Sequence, residues 1–223
     1  MASASRPQWT VELGERARSG FVATVIATSC LTALFFVGYF YVQRHPAYAP
    51  ITMPLTPLDR WIPFQPRALL AYVSLWIYLG TGPGLQRTLA ARAVYGLWLC
   101  GLGLTGLAIF YLWPTQIASM PLPAAGFPAL AVLHRLDQAG NACPSMHVAV
   151  AIFTAIRIDD VLHSTRSPLW LRSVNTAWFI AIVYSTLAIR QHVLLDVAAG
   201  AVLGLMFVWP SLRWRERESA RHP

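Results

Sequence analysis

The sequence has no lysine, nine acidic residues and three cysteines in 223 positions. Without lysine, any chemistry on an anion falls to guanidinium groups, which bind phosphate or carboxylate as a planar fork rather than as a point charge. Cys30, Cys100 and Cys143 are odd in number and have no metal-ligand spacing, which argues against a disulfide framework and a zinc site. Charged residues make up 12% of the chain against 56% hydrophobic, with nine tryptophans. That balance excludes an ordinary soluble domain and points to an integral membrane protein. There is no internal repeat and no low-complexity tail.

Apolar stretches fall at 21–42, 68–82, 93–113, 142–158, 174–189 and 193–212. Each is near or just below the ~20 residues a spanning helix needs. The expected fold is therefore all-α, an integral membrane bundle of six transmembrane helices. The polar segment 1–20 is followed by an apolar run too long for a cleaved signal, so that run reads as a retained first crossing. Two proline-rich stretches, "HPAYAPITMPLTPLDRWIPFQP" and "PTQIASMPLPAAGFPALAVLHRLDQAGN", read as loops or surface-lying segments inside one membrane domain, 1–223.

Six crossings put both termini on one side, and the arginines test this. Arg6, Arg16, Arg18, Arg87, Arg92, Arg157, Arg166, Arg172, Arg213, Arg215, Arg217 and Arg221 fall on the terminus side. Arg44, Arg60, Arg67, Arg135 and Arg190 fall on the other. This asymmetry predicts cytoplasmic termini in an inner (plasma) membrane. Topology leaves the second group unexplained, so anion binding is sought among its members. The tail 213–223, "RWRERESARHP" from Arg213, reads as an anchor on anionic headgroups; glutamates interrupt it, and no nucleic-acid partner is expected.

In "NACPSMHVAV", residues 141–150, a histidine sits at the opening of a very apolar helix. The expected topology places His147 and His192 at one depth, at the non-cytoplasmic face. Asp196 follows His192 by four residues, one helical turn along the same face. Its carboxylate can hold the Nδ1 proton and leave Nε2 free to attack. A carboxylate within a membrane segment is costly unless paired, and His192 is its nearest partner. Pro144 suits a first helical position and Ser145 a cap, at a helix start whose N–H groups favour an anion. Arg190 adds a fixed positive charge. Together these describe phosphoryl transfer by positioning and charge neutralisation, with no metal or cofactor expected.

"PSMH" and "STLAIRQHVLLDVAAG" resemble the second and third signature motifs of the type 2 phosphatidic acid phosphatase (PAP2) superfamily. "RQHVLLDV" and the aromatic-proline stretch "DRWIPFQP" are closest to the branch that includes inositol phosphorylceramide synthases. The resemblance covers about residues 59–204. It implies that His192 is a nucleophile forming a phosphohistidine, that Asp196 orients it, and that His147 protonates the leaving alkoxide and later activates the acceptor. Ser145 and Arg190 would bind phosphate oxygens. The chain departs from the commoner pattern in three places. The Lys-x6-Arg-Pro motif is not present as such, although Arg60 and Arg67 have its spacing. The Ser-Arg pair becomes Ser185-Thr186 with the arginine displaced to Arg190. Met146 stands where glycine is usual.

Arg135 and Asn141 precede the site and are further phosphate-binding candidates, while a turn or cap role fits Asn141 equally well. Asp159-Asp160, beside Arg157, reads as a solvated helix end rather than a metal site. His45, His134, His163 and His222 have no partner pattern and default to surface or interfacial positions. Gly101, Gly103, Gly106, Gly200 and Gly204 read as close-packing positions, with Gly200 and Gly204 letting the last helix approach a neighbour. A homo-oligomer stays open.

The leading expectation is a membrane enzyme cleaving a lipid phosphate ester, as a phosphatase or as a headgroup transferase acting on a phospholipid. Two readings from other classes stay open: a bis-histidine haem protein, and a non-catalytic lipid transporter using the same arginines. The haem protein predicts a Soret band in the purified material, and the transporter predicts full function after His192→Ala.

Overall fold

The computed structural model describes residues 7–118, 127–137 and 140–221, with the backbone alone at 135–137 and 215–221. Ten α-helices follow one another among these residues. They are α1 (Gln8–Arg18), α2 (Phe21–Arg44), α3 (Pro57–Trp61), α4 (Leu69–Val73), α5 (Leu75–Gly84), α6 (Leu89–Leu112), α7 (Pro128–Asp137), α8 (Met146–Ser164), α9 (Leu169–Ala188) and α10 (Leu194–Arg221). Two short strands, β1 (Ile51–Met53) and β2 (Thr115–Ile117), pair in parallel across the two long loops, Ile51 opposite Thr115.

Local chemistry sets the helix starts. Gly20, at φ 67, makes the left-handed turn between α1 and α2, a conformation in which a side chain is strained. Thr56 and Asp59 form a capping box on α3, Thr88 accepts from the Ala91 N–H at 3.1 Å to start α6, and Ser145 caps α8. Pro144 therefore precedes the cap instead of occupying the first helical position, which Met146 takes.

Among the described residues three helices are long and apolar enough to cross a membrane: Phe21–Arg44, Leu89–Leu112 and, within α10, Leu194–Trp214. The other three expected crossings are helical but differ in kind. The 68–82 run lies in a 3-10 turn (Pro66–Ala68), α4 and α5, with a break at Ser74. α8 carries Arg157, Asp159 and Asp160 in its second half, and α9 carries Arg172 and Asn175. Location accounts for the polarity of α8. It is the central helix, packed on α5, α6, α9 and α10, with Val148, Ala149, Ala151, Phe153 and Thr154 all essentially inaccessible. A helix sheathed by its neighbours need not be apolar all round. α2, by contrast, buries only Thr24 and Val42 and presents large aliphatic side chains outward.

Several polar groups at one end of the bundle tie helices together. Arg157 is 2% exposed; its guanidinium donates to the Ser211 carbonyl at 3.2 Å and to Gln86 Oε1 at 3.1 Å, and lies 5.7 Å from the Tyr95 ring centroid. It is thus an internal tie between helices, not one of the surface arginines that topology arguments count. Asp159 holds Arg172 in a fork of two 2.8 Å bonds, so this carboxylate belongs to an ion pair between α8 and α9.

The closest packing is between α8 and α10. A Cβ on Gly200 would run into the Ser145 carbonyl, and one on Gly204 would meet Ile152 and the Ala149 carbonyl. The small-residue pair of the last helix is thus seated on the helix that bears His147. Gly200→Ala forces backbone against backbone and should destabilise the protein by about 1–3 kcal/mol. Thermal unfolding in detergent, compared with Gly14→Ala, where an added Cβ meets no atom within 4 Å, tests this.

Candidate active site

Ser145 and Asp196 bring the two histidine motifs together. The Ser145 N–H donates to the Asp196 carbonyl at 2.9 Å, joining the start of α8 to the first turn of α10. The close approach at Gly200 allows that bond. His147 and His192 then face each other with ring centroids 5.9 Å apart and planes inclined by 55°.

Each ring is held by a different device. His147 stacks on Tyr72 of α4, centroids 4.2 Å apart, with its Nδ1 3.4 Å from the tyrosine hydroxyl, and meets Trp76 edge-on at 6.0 Å. His192 sits in the short connection between α9 and α10, where its backbone N–H donates to the Thr186 carbonyl at 3.1 Å. Its Nδ1 lies 3.6 Å from Asp196 Oδ2. That is longer than a hydrogen bond and within the range of an ion pair if the ring is protonated. Asp196 Oδ2 meanwhile accepts from the Val193 N–H at 2.9 Å, so this carboxylate also caps α10.

Three polar atoms at this point are buried without a hydrogen-bond partner: His147 Nε2, His192 Nδ1 and Asp196 Oδ1. Buried polar atoms are normally satisfied, and a cluster of unsatisfied ones on three neighbouring residues marks a candidate site. His147, His192 and Asn141 line one cavity together.

The remaining nominated residues fall around this core. Ser145 is fully buried, and its Oγ accepts from the Val148 N–H at 3.4 Å. Asn141, at φ 52, donates from its amide to the Tyr39 carbonyl at 3.1 Å, tying the loop to α2. Arg190, at φ 59, stands over Phe64 with its guanidinium carbon 5.5 Å from the ring centroid. Arg60 and Arg67 are exposed, on α3 and the 3-10 turn. Arg135 lies on α7, and its side chain, like Asp137's, is outside the described residues. Met146, in the position where glycine is usual, is buried against Gly106 of α6 and packs the start of α8 into the apolar core.

Three contributors escaped the sequence reading. Asp59 Oδ1 accepts from the Leu194 N–H at 2.7 Å, while Oδ2 serves Thr56, so the first long loop reaches across and caps the helix that follows His192. Nearby, the Gln65 N–H donates to the Ala188 carbonyl at 2.9 Å. Tyr72, in an apolar run, had no reason to stand out. His134 was expected at the surface without a partner, yet it is half-buried, with its Nδ1 2.9 Å from the Gln191 amide beside His192. A 3-residue i-to-i+3 cap pattern marks Asp59 within its own helix, but no local signal points to a partner 135 positions away.

A family model, the PAP2 superfamily, matches residues 110–220. No curated protein and no solved structure matches the chain. The PAP2 match takes in both histidine motifs, α7 and the tight α8–α10 contact. Asp59 and Tyr72 lie upstream of it, so the ring stacked on His147 and the carboxylate capping α10 come from outside the matched region.

Asp59→Ala removes the acceptor for the Leu194 N–H and should lower stability by about 0.5–2 kcal/mol, whereas Asp59→Asn, which keeps an acceptor oxygen, should lose less. Amide hydrogen exchange at Leu194 should accelerate in the alanine variant and change little in the asparagine variant.

Proposed function

We propose that the protein is a membrane phosphoryl-transfer enzyme of PAP2 type, cleaving a lipid phosphate ester through a phosphohistidine. The supporting observation is the meeting of His147, His192 and Asp196 at one end of the bundle, with orphaned nitrogens on both rings. The PAP2 match over residues 110–220 supports the same chemistry.

In this reading the Asp196 carboxylate holds the Nδ1 proton of His192, and Nε2 attacks phosphorus. The P–O ester bond breaks as the P–N bond forms, and protonated His147 gives its proton to the departing alkoxide. His147, now neutral, takes a proton from water; the hydroxide attacks phosphorus, the P–N bond breaks, and inorganic phosphate leaves. Arg190, Ser145, Arg135 and Asn141 are the groups from which phosphate contacts are drawn. The bundle has six crossings in this reading, with cytoplasmic termini and the histidines at the outer face.

Lipid phosphate hydrolysis is the simpler outcome. Headgroup transfer to a second lipid alcohol, in the manner of inositol phosphorylceramide synthases, is the second reading. It is favoured by the docking of "DRWIPFQP" on the histidine loop through Asp59 and Gln65. Both use the same histidines and differ in the acceptor.

Incubation with phosphatidic acid, an isoprenoid diphosphate, phosphatidylglycerol phosphate, and phosphatidylinositol with ceramide, reading both free phosphate and new lipids, separates the two. His192→Ala should reduce turnover to background and abolish acid-labile phosphohistidine. Asp196→Asn, which keeps the cap on the Val193 N–H, should lower kcat by about two to four orders of magnitude. Full turnover in His192→Ala protein sinks the proposal.

A further inference from the structure

The cavity at the two histidines does not end there. It continues as a groove of about 930 Å³ between α2, the α4–α5 segment and α6. Its α2 wall runs from Phe40 to Ala23, about 26 Å at 1.5 Å per residue. The far end is closed by Arg92, whose guanidinium is engaged by Thr24 Oγ1 at 3.3 Å and by the Arg16 carbonyl at 3.1 Å. Between these ends the walls are apolar. Leu34, Leu97 and Leu104 are exposed, so the groove is open along its side. Gly96 leaves space about midway along the α2 wall: a Cβ there would stop 3.9 Å from Leu31, in ordinary contact.

Continuity with the two histidines and the length of the groove narrow the occupant. A length of about 26 Å exceeds one leaflet of a hydrocarbon core that is about 30 Å thick in all. We propose that this groove holds the hydrocarbon tail of the phosphate ester, and that it favours a chain longer than one leaflet. The phosphate then lies at His147 and His192, and the chain end lies beside Arg92. The inference rests on the phosphoryl-transfer reading for the identity of the headgroup, and on the groove itself for the tail. A laterally open side lets such a chain slide in from the bilayer without leaving an apolar medium.

The test compares octyl phosphate with docosyl phosphate in lipid nanodiscs, using wild-type protein, Gly96→Trp and Thr28→Trp. The tryptophans fill the groove from opposite walls at and beyond its midpoint, about 13 Å or more from the Phe40 end, past the reach of an octyl chain. Docosyl phosphate should lose about tenfold or more in kcat/KM, the scale of a few methylenes denied burial, with octyl phosphate changed by less than about twofold. Equal losses for both substrates, or none for docosyl phosphate, overturn the proposal. A docosyl phosphate with a diazirine on its terminal carbon gives a readout that needs no turnover and no variant. Its adducts should map to residues 24–31 and 92–100, and adducts spread over the outer face of α9 would refute the groove. If the adducts fall as expected while wild-type protein releases phosphate from neither ester, the phosphoryl-transfer reading fails and the tail site stands. A wild-type dimer that the tryptophans convert to monomer would assign the groove to a second copy and overturn the proposal.

Discussion

One backbone hydrogen bond, from the Ser145 N–H to the Asp196 carbonyl, holds the site in register. Its net worth is about 0.5–1.5 kcal/mol, but leaving a buried N–H unpaired costs about 1–3 kcal/mol, so separation of the two helix starts is opposed from both directions. The bond forms only because Gly200 has no side chain to hold α10 away from α8. His147 and His192 occupy the residues just beyond the joined backbones, and their separation is a consequence of that contact more than of any attraction between the rings. Asp59 and Gln65 then brace the same junction from the first loop. Backbone contacts, the Tyr72 ring and the Asp59 carboxylate together position the histidines.

At the opposite end of the bundle, polar side chains tie helices together. Arg157 reaches Ser211 and Gln86 from the middle of α8, Asp159 and Arg172 form a fork, and Tyr78 donates to Asn175, which in turn donates to the Ala155 carbonyl. An ionised side chain within an apolar bundle persists where it is paired or satisfied. These contacts link α5, α8, α9 and α10 and make the charge on α8 compatible with its central position. They also separate charge that serves packing from charge available for chemistry, a distinction that residue type alone does not carry.

Much of this was legible in the sequence, and the parts that were not share a cause. The helical character, the convergence of two histidines 45 positions apart, Ser145 as a cap and the close-packing role of Gly200 and Gly204 all follow from periodicity, capping chemistry and residue size. The number of long apolar spans did not follow, because a hydropathy run takes α8 as lipid-facing when its neighbours enclose it, and does not weigh Arg172 and Asn175 on α9. Arg157 was misjudged for the same reason: charge reads as surface until a partner is known. Asp59, Tyr72 and His134 act on partners 135, 75 and 57 positions away, beyond any local pattern. Met146, an oddity when the motif is read as a phosphate loop, has a packing explanation in its contact with Gly106.

The unsatisfied atoms at the histidines gain weight from their clustering. His147 Nε2, His192 Nδ1 and Asp196 Oδ1, each buried without a hydrogen-bond partner, fall together at one end of the bundle. Each omission costs free energy, and the three fall on residues that face or touch one another. Packing does not account for the two rings, because an apolar side chain at either position would remove the cost. A ligand that brings both acceptors and a transferable proton would account for it, and a phosphate ester presented at the mouth of an apolar groove has that chemistry. The cost is confined to a few atoms, and the contacts of α8 with α10 and of Asp59 with Leu194 hold the surrounding backbone in place.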